Sequence, residues 1–188
     1  MKKPAVFMDR DGTVNEQMGY INHLDRFVLL PGAGEAIRLL NDAGYLAIIV
    51  SNQSGVARGY FPMDLVHRVH DKMTSLIKKD GATLDRIYFC PHYPNGKVSP
   101  YGTTCDCRKP GIGLIRKARE SFDIDMENAY VIGDRCTDIE MAHKADLKGI
   151  LVKTGYGKGD LEYVFPEFPF QPVHVAEDLL GAVKWILG

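Results

Sequence analysis

The sequence predicts an α/β fold in three layers, a parallel sheet covered by helices on both faces. Short apolar runs rich in β-branched residues alternate along the chain with stretches of helical period, and that alternation implies parallel strands with helical crossovers. Four polar clusters fall immediately after strands or at a helix start, which is the rim where parallel sheets bind ligands. The length of 188 residues suits one domain, 1–188, with an ample core.

In chain order, Ala5–Met8 is the first strand, and Asp9-Arg10-Asp11-Gly12-Thr13 follows it. Asn15–Pro31 is a long connection. Ala33–Ala43 is a helix, because Ala36, Ile37, Leu39, Leu40 and Ala43 share one face and Gly44 supplies a stop. Leu46–Ser51 is the second strand and ends in Ser51-Asn52-Gln53-Ser54-Gly55. A helix over Met63–Lys79 and a strand over Arg86–Cys90 come next. Pro91–Pro110 breaks the alternation, being rich in Pro, Gly, Cys and polar residues. Irregular segments of this length are usually functional or pinned by something. A helix over Ile112–Phe122, a strand over Tyr130–Gly133, a helix over Thr137–Lys144 and a strand over Gly149–Val152 restore the pattern. The Pro-rich aromatic stretch Tyr163–Pro172 reads as a surface loop before a last strand and a helix over Ala176–Leu187.

Composition narrows the class. The net charge of -1 favours neither nucleic acid nor an anionic membrane as an obligatory partner. Too few apolar residues follow Met1-Lys2-Lys3-Pro4 for a signal peptide, and no apolar run approaches a membrane span. The expectation is a cytoplasmic protein, and a monomer by default.

The polar clusters have the chemistry of phosphoryl transfer, which is mostly positioning and charge stabilisation. Of two carboxylates spaced as Asp9 and Asp11, one can attack phosphorus while the other carries a proton. Ser51 and Asn52 can cradle phosphate oxygens with a hydroxyl and backbone N–H groups. Lys109 can neutralise phosphate and carboxylate together. Asp134 can complete a magnesium site with Asp9 and Asp11, since Mg2+ takes oxygen ligands. Plainer roles remain open: a turn for Asp11-Gly12, a cap for Ser51, a solvated charge for Lys109, a helix N-terminal charge for Asp138.

The four cysteines add a second theme. Cys90-Pro91-His92 and Cys105-Asp106-Cys107 are two tight pairs, and three thiolates with one imidazole make a closed tetrahedral zinc set. Free thiols with a surface histidine are the alternative. Four protein ligands leave no open position, so such a zinc is structural and would cinch a loop of about residues 90–107. Cys136 has no neighbour in sequence and reads as a small buried residue.

Taken together, Asp-x-Asp-Gly-Thr at Asp9, Ser51-Asn52, Lys109 and Gly133-Asp134-x-x-x-Asp138 resemble the haloacid dehalogenase (HAD) superfamily of aspartate-nucleophile phosphatases. The resemblance implies a capless, doubly wound Rossmann-like sheet with a zinc-bound loop. It makes Asp9 the nucleophile, Asp11 a proton carrier that first holds a proton, and Mg2+ a ligand of the Asp9 carboxylate, the Asp11 carbonyl and Asp134. Cys-x-His…Cys-x-Cys-Arg-Lys-Pro is similar to two branches, the heptose bisphosphate phosphatases and the histidinol-phosphate phosphatases. Ser51 to Gly59, with Gly19-Tyr20, is similar to the heptose branch, whereas the histidinol branch usually has Asp where Ser54 stands. The implied activity is removal of the C7 phosphate from a heptose 1,7-bisphosphate that feeds surface glycans such as lipopolysaccharide. A phosphate-binding module on the same fold is the other alternative.

With no room for a large cap domain, substrate choice falls to Gln17–Tyr20, to Gln53, Ser54 and Arg58, to the zinc loop, and to Arg135. Arg108, Arg135 and Arg58 are candidate partners for a second phosphate, Arg58 having a solvated loop charge as its plainer reading. Arg135 stands where the heptose branch often has lysine.

Overall fold

Six strands run in the same direction because a helix-bearing crossover separates each from the next. They are β1 (Ala5–Met8), β2 (Leu46–Asn52), β3 (Arg86–Cys90), β4 (Tyr130–Gly133), β5 (Lys148–Val152) and β6 (His174–Ala176). The computed structural model describes residues 2–188. The sheet order is β3-β2-β1-β4-β5-β6, with every neighbouring pair parallel. This is the doubly wound order in which strands are added to one side of β1 and then to the other.

β1 is buried along its whole length, as a strand covered on both faces must be. Its side chains alternate: Val6 and Met8 enter one core layer, Ala5 and Phe7 the other. Helices α1 (Ala33–Asp42) and α3 (Met63–Lys79) cover the first layer through Ile37, Leu40, Val69, Met73 and Ile77. Helix α4 (Gly113–Ser121) covers the second through Leu114, Ile115 and Ala118, joined by Met141 and Ala142 of α5 (Cys136–Lys144). Phe7 is fully buried, and truncating such a side chain to alanine costs about 3–5 kcal/mol.

Register places the chemistry. Met8 lies opposite Ile49 on one side and Ile132 on the other. Asp9 and Asp134, which follow β1 and β4, and Asn52, which ends β2, therefore arrive on one rim.

Two short helices, α2 (Gly55–Arg58) and α6 (Gly157–Tyr163), interrupt segments with no helical period in the sequence. The last helix, α7 (Leu179–Leu187), begins three residues later than the periodicity predicts. Ala176 belongs to β6, which pairs with β5, and Asp178 caps the helix by accepting from the Gly181 N–H at 2.8 Å. Among the described residues, no helix is long and apolar enough to cross a membrane.

Candidate active site

Asp9 leaves β1 at the switch point, where β2 and β4 flank the strand on opposite sides. Lys109 Nζ lies 2.7 Å from Asp9 Oδ1 and 2.7 Å from Asp138 Oδ1. The lysine is 5 % exposed and Asp138 1 % exposed, so little solvent screens these pairs. Burial works against the ammonium, but Asp138 and Asp9 outweigh it and hold Lys109 well above its ordinary value. Asp138 sits in the first turn of α5, where its Oδ2 accepts from the Arg135 N–H at 3.1 Å. It is thus a fixed anchor for Lys109.

Asp134 follows β4 directly and is fully buried. Its Oδ2 accepts from the Tyr156 N–H at 2.8 Å, whereas Oδ1 has no partner. Gly12, at φ +88°, passes so close that a Cβ there would run into the Asp134 carboxylate. Burial pushes Asp9 up to about 7 against the pull of Lys109. Burial, with Asp9 and Asp138 nearby, pushes Asp134 up to about 8. Carboxylate oxygens of Asp9, Asp134 and Asp138 lie within 4.8 Å of one another. An orphaned buried oxygen among crowded anions fits a divalent cation, which would supply the missing partner and reverse both shifts. Asp138 spends Oδ1 on Lys109 and Oδ2 on the Arg135 N–H, whereas Asp9 gives only Oδ1 to Lys109 and Asp134 keeps Oδ1, so Asp9 and Asp134 are the carboxylates with an oxygen to offer it.

Asp11 differs from its neighbour. Its oxygens receive Arg10 Nη2 at 3.0 and 2.9 Å, Asn15 Nδ2 at 3.1 Å and Gln53 Nε2 at 2.8 Å. Burial alone would raise its pKa, but Arg10 and these hydrogen bonds leave it lowered. The sequence expectation of a proton on Asp11 at the outset therefore meets surroundings that favour the anion.

These groups open into a cavity of about 370 Å³. Asp9, Asp11 and Lys109 reach it, with Gln17, Gly19 and Tyr20 of the long first connection on one wall. Asn52, Ser54 and Arg108 line another part, and Arg135, Thr137 and Tyr156 complete it. A larger open depression of about 880 Å³ lies at the opposite end of the sheet, lined by Lys2 and residues 119–127. It lacks the buried charge cluster and is not the candidate site.

Three predicted substrate-site residues lie outside the candidate cavity's lining. Ser51 is internal to β2 and 1 % exposed, with its Oγ accepting from Gln53 Nε2 at 2.8 Å. It caps no helix, and it and Gln53 stand behind the lining. Arg58 also lies off the lining, its guanidinium 3.5 Å from the centroid of the Tyr93 ring. Sequence reasoning missed Thr137, Tyr156 and the support that the end of β5 gives the site. Thr154 Oγ1 donates to the Gly12 carbonyl at 2.6 Å. The strand-end rule applied to β5 would have found that segment.

Cys90, His92, Cys105 and Cys107 converge beside this cavity, their ligand atoms within 4.8 Å of one another. Cys107 Sγ lies 2.9 Å from Cys90 Sγ and 3.3 Å from His92 Nδ1. Burial pushes the Cys90 and Cys107 thiols up, and a bound metal would strip those protons. The Arg108 guanidinium lies 3.4 Å from the His92 carbonyl and 5.3 Å from the Tyr93 ring centroid.

Known proteins resemble this chain in sequence and fold. A HAD-hydrolase-like family model matches residues 106–182. A D-glycero-D-manno-heptose-1,7-bisphosphate 7-phosphatase of Thermosynechococcus vestitus is 43 % identical over 190 residues, 99 % of this chain and 96 % of that protein. The D-glycero-beta-D-manno-heptose-1,7-bisphosphate 7-phosphatase of Escherichia coli K12 is 39 % identical, over 81 % of this chain and 80 % of that one. The crystal structure of the D,D-heptose 1,7-bisphosphate phosphatase of B. bronchiseptica, complexed with magnesium and phosphate, superposes with a TM-score of 0.86. It is 32 % identical and covers 98 % of each chain. By rim geometry and by these relatives, the chain belongs to the heptose-bisphosphate phosphatase family of HAD-like hydrolases.

Proposed function

We propose that this protein is a Mg2+-dependent phosphatase that removes the C7 phosphate of D-glycero-D-manno-heptose 1,7-bisphosphate through an aspartyl-phosphate. The observation that carries the reading is the Asp9–Lys109–Asp138 chain at the base of a cavity walled by Arg108 and Arg135. Asp9 attacks phosphorus, a new P–O bond forms, and the bond to the C7 oxygen breaks. That oxygen takes a proton from Asp11. The incoming phosphate brings negative charge beside Asp11 and raises its proton affinity, which offsets the resting preference for the anion. Water then attacks the phosphorus of the aspartyl-phosphate, Asp11 takes its proton, and inorganic phosphate leaves with Asp9 restored. Lys109 neutralises the charge that builds on phosphate and Asp9.

Asp9, Asp134 and the Asp11 carbonyl would hold Mg2+, which when bound stabilises negative charge on the transferring phosphoryl group. The Cys90, His92, Cys105 and Cys107 cluster would hold a structural Zn2+, and its loop sets the position of Arg108. Arg108 and Arg135 are suited to the second phosphate because each offers a planar fork to oxygen. Arg135 Nε lies 3.2 Å from Asp160 Oδ2, and its guanidinium lies 4.6 Å from the Tyr156 ring centroid, so its direction is set.

The test compares Mg2+-dependent phosphate release from both anomers of heptose 1,7-bisphosphate and from histidinol phosphate. Highest kcat/KM on a heptose bisphosphate is expected. Dominance of histidinol phosphate would overturn the substrate assignment, and absence of any release would leave only a binding module.

A further inference from the structure

Arg10 separates the two aspartates in sequence, yet its side chain is 2 % exposed and is the largest fully buried one. Its Nη2 faces both Asp11 oxygens and lies 3.1 Å from Gln53 Oε1. Its Nη1 lies 3.2 Å from Nε2 of His70, a residue of α3 that is itself 6 % exposed. The His70 ring packs edge-on against Phe89 of β3, with centroids 5.1 Å apart. Arginine has only donors, so this contact requires an acceptor lone pair on Nε2 and the proton on Nδ1.

We infer that His70 is a positioning residue for the reaction, holding one edge of the Arg10 guanidinium so that the other edge aims the Asp11 carboxylate. The guanidinium is planar and rigid, so fixing Nη1 fixes the direction of Nη2. Burial, and secondarily Arg10, keep His70 neutral, with its pKa lowered to about 3, as the acceptor role requires. Gln53 closes the arrangement by taking Arg10 Nη2 on its Oε1 and giving Nε2 to Asp11. Removing the imidazole acceptor leaves a buried N–H without a partner and lets the fork turn. The inference rests on the reading of Asp11 as proton carrier.

The experiment measures kcat/KM for His70→Leu and His70→Gln on two substrates. Heptose bisphosphate expels an alkoxide that needs a proton, whereas 2,4-dinitrophenyl phosphate expels a stable phenolate that needs none. His70→Leu is expected to lose about tenfold or more on heptose bisphosphate and about twofold or less on the aryl phosphate, since misplacing a general acid affects only the proton-requiring step. His70→Gln, which keeps an acceptor for Arg10, is expected to restore most of the loss. Equal losses on both substrates would mean that His70 only fills space or supports folding. Equal losses, no loss, or no rescue by glutamine would each overturn the inference while wild-type activity stands. A wild-type protein that releases no phosphate from either compound would instead sink the functional reading, and this inference with it.

Discussion

Asn52 and Lys109 hold each other by two hydrogen bonds. Asn52 Nδ2 donates to the Lys109 carbonyl at 3.2 Å, and the Lys109 N–H donates to Asn52 Oδ1 at 3.0 Å. An amide side chain at the end of β2 thus imitates a strand neighbour for the backbone that leaves the loop bearing Cys105 and Cys107. That backbone carries the Nζ that meets Asp9. Asn52→Ala is expected to cost about 1–3 kcal/mol of stability, through the unsatisfied backbone pair. It is also expected to lower kcat/KM by about tenfold, through misplacement of Lys109. Denaturant titration and steady-state kinetics check both, and an unchanged kcat/KM would show that Lys109 is held in other ways.

Asp9→Asn is expected to abolish turnover, by at least about a thousandfold, because an amide cannot take the place of the attacking carboxylate. The variant is expected to fold, since Asn is nearly isosteric and Lys109 keeps Asp138 at 2.7 Å. Near-UV circular dichroism would confirm folding. Ordinary phosphate release by a folded variant would remove Asp9 from the nucleophile role.

Chelation of metal from the Cys90, His92, Cys105 and Cys107 cluster is expected to lower Tm and raise KM severalfold, because closed zinc sites contribute folding energy to the loops they tie. KM is the sensitive quantity because the His92 carbonyl and Tyr93 ring flank Arg108. Cys107→Ser is expected to act in the same direction. Unchanged kcat/KM in protein shown by elemental analysis to be free of zinc would falsify the coupling between loop and site.

His70 gives the stability a specific acid dependence. Its folded pKa of about 3 lies below the unfolded value near 6.5. Between those values the unfolded chain binds the proton and the folded chain does not, so stability rises with pH across the window. Lowering the pH from 7.5 to 5 is therefore expected to cost about 2 kcal/mol through this residue. His70→Gln should flatten that part of the curve. Stability that falls equally in wild type and variant between pH 6.5 and 5 would assign the effect to other groups.

Much of the site was legible because strands end abruptly. Asp9, Asn52 and Asp134 each follow an apolar run, and the common direction of parallel strands carries them to one rim without knowledge of any contact. The convergence of Cys90, His92, Cys105 and Cys107 was legible because residue type and tight pairing point to it almost by themselves. Other features were hidden in sequence. Ala176 continues a helical period into α7, but pairing with β5 makes it part of a strand. Ser51 has the chemistry of a phosphate contact, but its bond from Gln53 Nε2, which also reaches Asp11, could not be read from spacing. Arg58 has the charge to meet a phosphate, and its position against Tyr93, off the cavity lining, is set by packing alone.

By itself, the sequence determined the α/β class, the strand-end carboxylates, the lysine and the thiol–imidazole set, because periodicity and residue chemistry are local. Only the tertiary structure decided which partners those groups meet. Asp138 goes to Lys109, Asp134 keeps one oxygen free, Asp11 is claimed by Arg10, and Arg10 is held by His70 from a helix sixty residues away in the chain. Such pairings depend on packing across the sheet. Hydrogen-bond geometry and the energy of a buried charge are set by distance in space, which residue spacing along the chain does not encode.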